Sequence, residues 1–123
     1  MHIEWVRDIC LSFDDVEECQ PFGPENLVYK IKGKMFLLIS LDDIPPRINV
    51  KTDPDYSVEL REAYPDNILP GFHMNKKHWI SIYEDENLDP DLVIDLVHSS
   101  YELVVSKLNK LQRQRIVALQ AIT

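Results

Sequence analysis

The sequence predicts an α+β domain in which helices cover one face of an antiparallel sheet of about five strands. The predicted order is α-β-β-β-α-β-β-α. Short alternating segments follow one another through short links, which favours antiparallel pairing. Two Asp-Pro-Asp triplets, at 53–55 and 89–91, mark helix starts that interrupt these strands. In each triplet the first Asp suits the N-cap, Pro suits the first helical position, and the second Asp favours the positive end of the helix dipole.

The first element is predicted to be an amphipathic helix. Ile3, Val6, Cys10 and Phe13 fall at the three- and four-residue spacing of one helix face. The segment QPFGPEN, at 20–26, ends the helical pattern with two prolines and a glycine.

Three strands are predicted next, at 27–31 (LVYKI), 34–40 (KMFLLIS) and 47–51 (RINVK). The first two flank Lys32-Gly33, which is typical of a hairpin turn. The second of these strands is apolar on both faces, so we expect it to be central in the sheet. The third alternates cleanly, which places Ile48 and Val50 under the helices.

A helix starting at Pro54 is expected to stop at Pro65, and the last helix starts at Pro90. Between them HMN (73–75) and HWISIY (78–83) predict one or two further strands. The last and longest helix carries an apolar stripe, and residues 110–123 are expected to form a C-terminal helical extension of the single domain 1–123. Members of the stripe are Val93, Leu96, Val97, Ser100, Tyr101, Val104, Leu108 and Leu111.

Composition restricts the class of protein. The 123 residues suffice for one domain with a core of its own. Two cysteines, Cys10 and Cys19, make no disulfide framework and match no zinc spacing. The N-terminus has no signal-peptide pattern, and no apolar run reaches the length of a membrane span. We therefore expect a cytoplasmic protein without a membrane segment, and the sequence leaves its oligomeric state open.

Charge is segregated along the chain, although the formal net charge is -8. Residues 27–51 carry five bases against two acids, whereas residues 84–103 carry seven acids and no base. The predicted strands are thus basic, whereas the first two helices and the start of the third are acidic. Side-chain alternation places a basic, aromatic set on the open face of the sheet. This set comprises Lys30, Lys32, Arg47, Asn49, Lys51, Trp79 and Tyr83.

Five segments together resemble the MmcQ/YjbR family. They are PFG at 21–23, VYKIKGKMFLL at 28–38, RINVK at 47–51, GFHMNKKHWISIY at 71–83 and HSSYELVVSKL at 98–108. The resemblance covers nearly the whole chain in the expected order. It implies a frataxin (CyaY)-like fold and a "double-wing" DNA-binding module. Residues 112–123, QRQRIVALQAIT, run past the usual end of such domains.

The favoured hypothesis is a non-enzymatic DNA-binding module. Lysines would contact phosphates, Trp79 would stack on a base, and Asn49 would bond a base edge. A pI of about 4.8 opposes this hypothesis, because nucleic-acid-binding domains typically have a pI above about 9. The candidate binding residues are Lys30, Lys32, Lys34, Arg47, Asn49, Lys51, His73, Lys76, Lys77, His78 and Trp79.

Alternatives remain open for the same residues. The runner-up is a binding module for an anionic small molecule or an acidic protein segment on the open face, and third comes a protein partner bound through the acidic helices. Trp79 would also serve as a bracing aromatic in the sheet. His73 and His78 lack a third ligand at a recognisable spacing, so neither a metal nor a cofactor is predicted. The sequence has no phosphate-binding glycine loop and no hydrolase motif, so an enzyme is not predicted.

Overall fold

The computed structural model describes residues 3–83, 85 and 87–108. The helices are α1 (Ile3–Ser12), α2 (Pro54–Ala63) and α3 (Pro90–Ser106). The strands are β1 (Val16–Cys19), β2 (Asn26–Ile31), β3 (Lys34–Ser40), β4 (Arg47–Lys51), β5 (Ile68–Pro70) and β6 (Trp79–Tyr83). They form one sheet in the order β1-β2-β3-β4-β6-β5, and every neighbouring pair is antiparallel.

The α+β class is confirmed, and so are the bounds of β3 and β4. The sheet is open and has six strands rather than about five. The additional strand is β1, whose acidic sequence VEEC gives no apolar alternation because it pairs only with β2 at the edge of the sheet. The prediction of a strand at 73–75 is wrong. The strand in this part of the chain is β5 at Ile68–Pro70, and residues 72–74 form a turn.

The β2–β3 hairpin is confirmed, and it contains an irregularity. Lys32 and Gly33 both have positive φ, 50 and 77, as a two-residue hairpin turn requires. Tyr29 pairs with Leu37 but Lys30 pairs with Met35, so Phe36 is an extra residue in β3. This bulge lets Phe36 and Leu37 both enter the core.

The core lies between the sheet and the helices. Ile48 and Val50 of β4 and Ile80 and Ile82 of β6 face it, as the alternation predicted. Helix α3 packs on β3 and β4, and α1 packs on α3. The Tyr101 hydroxyl donates to the Asp14 carbonyl at 2.9 Å and so fixes the turn after α1 to α3. The helices occupy this side, and on the other side Val28, Leu38 and Ser81 are also buried, with the Phe72 amide of the loop after β5 bonded to Ser81.

The predicted extension at 110–123 lies outside the described residues. Among the helices in the described part of the chain, none is both long and apolar enough to cross a membrane.

Candidate functional site

A cavity of about 250 Å³ lies on the sheet face opposite the helices. Leu38 and Asn49 are paired neighbours at its floor, and they alternate with residues that enter the core. The rim comes from the turn after the β1 strand and from the loop between β5 and β6. Its lining residues are Phe22, Asn26, Met35, Leu38, Arg47, Asn49, Phe72, His73 and Met74.

Arg47 is the charged group of this cavity. It is 6% exposed, and its guanidinium carbon lies 4.6 Å from the centroid of the Phe72 ring. Nη1 lies 3.1 Å from Asp43 Oδ2, but this carboxylate oxygen accepts no hydrogen bond within the described residues. Nε of Arg47 likewise has no hydrogen-bond partner there. The ion pair is therefore close but misaligned, and it leaves one buried N–H donor unused.

Asn49 holds the rim in place. Its Nδ2 donates to the Phe72 carbonyl at 3.2 Å, and its Oδ1 accepts from the Ser81 hydroxyl at 2.6 Å. The Ser81 Oγ in turn accepts from the Phe72 amide at 2.8 Å. Two buried polar side chains on neighbouring strands thereby fix both backbone polar groups of Phe72. This network orients the ring that covers Arg47.

Gly71 brings this loop down onto the sheet. Its amide donates to the Trp79 carbonyl at 3.0 Å. A Cβ at this position would lie 2.7 Å from the Trp79 Cβ, closer than packed carbon atoms approach. His73 follows with a φ of 60, and its ring lies 4.0 Å from that of Phe72. Glycine at 71 and the left-handed His73 thus place two rings at the cavity mouth.

Three of the predicted site residues meet in this cavity: Arg47, Asn49 and His73. Arg47 and Asn49 are both buried. The side-chain nitrogen and oxygen of Asn49 both form hydrogen bonds within the protein. Asn49 therefore positions the loop and has no free amide group for a base edge.

The remaining candidates are dispersed. Lys32, after β2, pairs with Asp15, which directly precedes the neighbouring strand β1. Lys76 donates from Nζ to the Gly71 carbonyl at 3.1 Å, and Lys77 beside it is exposed. Lys34 is exposed, whereas Lys30 and His78 are partly buried.

Trp79 lies in the interior. It is only 6% exposed, because Gly71 packs against its Cβ and Lys51 lies over its ring, with Nζ 5.7 Å from the centroid. An indole in this position has no free face on which a base could stack. Its burial agrees with the alternative prediction that Trp79 braces the sheet. The exposed aromatics of this surface are Phe22 and Phe72, at 62% and 48%.

Lys51 does not line the Phe72 cavity. It lines a second cavity with Lys34 and Lys107, at the end of α3. Burial lowers the pKa of the Lys51 ammonium, and the charges of Lys107 and Lys34 lower it further.

Sequence reasoning missed the apolar residues at the rim of the cavity. Phe22, Phe72 and Met74 lie in Pro- and Gly-containing turns rather than in strands, and alternation arguments do not reach such segments. The sequence pattern that could have indicated these residues is a large apolar residue next to a proline or glycine, as in PFG at 21–23 and GFHM at 71–74. Within residues 3–83, 85 and 87–108, no cluster of His, Cys, Asp or Glu side chains is placed to hold a metal ion.

Fold and cavity define an α+β protein whose sheet carries helices on one face and a cavity bordered by loops on the other. The chain belongs to the YjbR family, whose model matches residues 11–103. It is 45% identical over 113 residues to the Escherichia coli protein YbdF, covering 92% of each chain. It is 30% identical to the Escherichia coli protein YjbR, covering 97% of this chain and all of that protein. Both relatives carry the description "uncharacterized".

Solved structures agree with the fold. The crystal structure of the Deinococcus radiodurans protein DR2400, with the domain DUF419, has a TM-score of 0.88 and 34% identity. The match covers 93% of this chain and 86% of that one. A Pseudomonas syringae protein has a TM-score of 0.72 and 24% identity, covering 84% and 98% of the two chains.

Proposed function

We propose that this chain is a binding module whose open-face cavity takes a small organic anion with an apolar or aromatic part. The observation that carries the proposal is the Arg47 guanidinium, 6% exposed in this cavity, with Nε unpartnered among the described residues. Leaving a buried donor unpaired costs about 1–3 kcal/mol. A ligand oxygen that accepts from Nε would remove this cost. The planar guanidinium of arginine also matches the geometry of a carboxylate or phosphate group.

The rest of the cavity selects an apolar ligand body. Met35, Leu38, Phe72 and Met74 supply apolar surface, and Phe22 stands exposed at the rim. The volume of about 250 Å³ is small. It lies below the range of about 300–1,000 Å³ of drug-sized sites but above the ~150 Å³ cavity that holds benzene. A ligand of the size of an aromatic carboxylate fits these bounds.

We propose binding rather than catalysis. Among the described residues that line the cavity, His73 is the one whose side chain commonly serves as a general acid or base. General acid–base chemistry or a covalent intermediate normally needs a second positioned group. The Asn49 and Ser81 side chains bond each other and the Phe72 backbone, which is a holding role. We also propose a cytoplasmic location, which the two free cysteines support.

Benzoate is the first probe. Titrated into ¹⁵N-labelled protein, it should shift the amide signals of Asn49, Phe72 and His73. Arg47→Met should weaken benzoate binding about tenfold or more, because the variant cannot form the hydrogen bond from a charged group. Arg7→Met is the matched control, since Arg7 also pairs with a carboxylate but lies outside the cavity. Benzyl alcohol, a neutral analogue, should bind more weakly than benzoate.

Shifts scattered over the surface, or equal weakening by the two arginine variants, would contradict this proposal. Circular dichroism of each variant distinguishes a defect in binding from a defect in folding.

DNA is the second candidate ligand of the same face. It is supported by exposed Lys77, with Lys76 beside it, on the loop that presents Phe72. Here the lysines would contact phosphates, and Phe72 rather than Trp79 would stack on a base. Single-stranded and duplex oligonucleotides titrated at several salt concentrations test this candidate. Changing Lys76 and Lys77 to Gln should reduce the slope of log affinity against log salt by about 0.7 for each single-strand phosphate that is no longer neutralised. Salt-independent or undetectable binding at low salt would reject DNA and leave the benzoate proposal standing.

A further inference from the structure

A second cavity, of about 190 Å³, lies where β3 begins and β4 and α3 end. Its lining consists of Lys34, Lys51, Lys107, Val104 and Leu108. Lysines from the start of β3, the end of β4 and the C-cap of α3 thus line one space. It shares no lining residue with the open-face cavity.

The lysines repel one another without compensation from nearby acids. The positive charges of Lys107 and Lys34 disfavour the protonated form of Lys51 and so lower its pKa, in addition to the larger effect of burial. Carboxylates are absent from the lining, and none of the ion pairs found within residues 3–83, 85 and 87–108 involves these lysines. The sequence that follows, 109–123, contains no Asp or Glu. The described chain therefore concentrates positive charge here without an anion of its own.

The helix end does not cancel this charge. Lys107 is the C-cap of α3, where the dipole contributes about half a negative charge. Three ammonium groups leave the cavity clearly positive after that offset. Val104 and Leu108 are buried and make part of its wall apolar, which strengthens the attraction for an anion.

We propose that this lysine cavity binds the phosphoryl oxygens of a multiply charged anion. Lysine presents a compact point charge, and several lysines together favour a compact oxyanion over a single planar carboxylate. A diphosphate would accept from all three ammonium groups and relieve their mutual repulsion. The same phosphoryl chemistry is offered by a free phosphate ester and by a nucleic-acid backbone.

Inorganic pyrophosphate is the probe, titrated calorimetrically at constant ionic strength into the full chain. Lys51→Gln and Lys107→Gln should each weaken binding about tenfold, because each removes one charged partner of the anion. Lys77→Gln, which changes an exposed lysine outside this cavity, is the matched control. Circular dichroism spectra of the variants without pyrophosphate should match that of the wild type, so that weaker binding reports on the cavity and not on unfolding. Absent binding, or equal weakening by Lys77→Gln, would overturn the proposal.

The source of the phosphoryl group is resolved by competition. If an oligonucleotide displaces pyrophosphate and Lys107→Gln abolishes this displacement, the cavity binds a nucleic-acid backbone. If adenosine triphosphate displaces pyrophosphate and an oligonucleotide does not, it binds a free phosphate ester. Displacement that is insensitive to Lys51→Gln and Lys107→Gln would place the site elsewhere and overturn the proposal.

Discussion

At the scale of single residues, Glu18 connects α1, β1 and β2. Its Oε2 accepts from the Tyr29 hydroxyl at 2.6 Å and from Arg7 Nε at 2.7 Å. The Arg7 hydrogen bond lowers the pKa of the Glu18 carboxyl, burial acts in the opposite direction, and the Tyr29 bond lowers it further. Tyr29 is fully buried, and burial followed by the Glu18 hydrogen bond raises its pKa. The buried hydroxyl thus depends on an ionised carboxylate.

This bond predicts an acid-sensitive contribution to stability. Because the pKa of Glu18 is lowered on folding, its contribution is complete above 4.5, the ordinary value, and is lost as the pH falls through the lower folded value. Tyr29→Phe should lower the free energy of unfolding by about 0.5–1.5 kcal/mol at neutral pH. Urea unfolding of wild type and Glu18→Gln should give a difference that shrinks below pH 4.5. A difference that stays constant down to about pH 3 would contradict the role of the carboxylate.

The two free cysteines should differ in reactivity. Cys10 is buried in the core, and burial raises the pKa of its thiol to about 12, whereas Cys19 is partly exposed on β1. Since the thiolate is the reactive form, iodoacetamide should label Cys19 first and leave Cys10 unmodified in the folded protein. Mass spectrometry of wild type and Cys19→Ser measures this. Rapid labelling of Cys19→Ser without denaturant would show that Cys10 is accessible.

At the scale of elements, Ser100 attaches α3 to the sheet. Its hydroxyl donates to the Phe36 carbonyl and accepts from the Lys51 amide at 2.9 Å. Both backbone groups are available because Phe36 is the extra residue of β3 and Lys51 ends β4. A single buried hydroxyl thus satisfies one strand carbonyl and one strand amide.

Ser100→Ala should therefore destabilise the fold by about 1–3 kcal/mol, since both groups lose their partner away from water. Ser99→Ala is the matched control, because Ser99 is exposed on the same helix and alanine is the better helix former. Chemical denaturation of the two variants measures the difference. Equal stability would mean that water replaces the hydroxyl.

The same elements show how far the sequence specifies this fold. Asp53 and Asp89 were predicted to cap helices, and their carboxylates accept from Asp55 and Asp91 amides at 3.1 and 2.9 Å. Local rules suffice there, because cap and turn chemistry acts within a few residues. Strand β1 was missed because an acidic four-residue edge strand is held by pairing with β2, which is not local.

The site was only partly predictable for a related reason. Alternation correctly separates Arg47 and Asn49 from Ile48 and Val50. It cannot show that residues 71–74 fold back and cover the sheet, because that depends on Gly71 fitting against Trp79. The exposed aromatic of this region is consequently Phe72, and the tryptophan lies beneath the loop.

At the scale of the whole molecule, α1 and α3 are acidic and pack together. Helix α3 carries Asp91, Asp95 and Glu102 without a base, and α1 packs against it with more acids than bases. With a net charge of -8, this arrangement weakens the compact state through self-repulsion. The candidate sites instead present positive charge. The stability of the fold is therefore governed by repulsion among negative charges, whereas binding at the candidate sites is governed by positive charges.

Added salt should therefore raise the stability of the fold and weaken the binding of anions. Raising NaCl from about 0.01 M to about 0.15 M shortens the Debye length from roughly 30 Å to 8 Å. Repulsion among the carboxylates of α1 and α3 weakens, so the melting temperature should rise by about 2–5 °C. Changing Asp95 to Asn and Glu102 to Gln together should reduce this rise, because it removes two of the repelling charges. Over the same range benzoate and pyrophosphate should bind more weakly, because the same ions screen Arg47 and the lysine cavity. A melting temperature that falls with salt would show that attractive pairs, such as Arg7 with Glu18, outweigh repulsion among the helices.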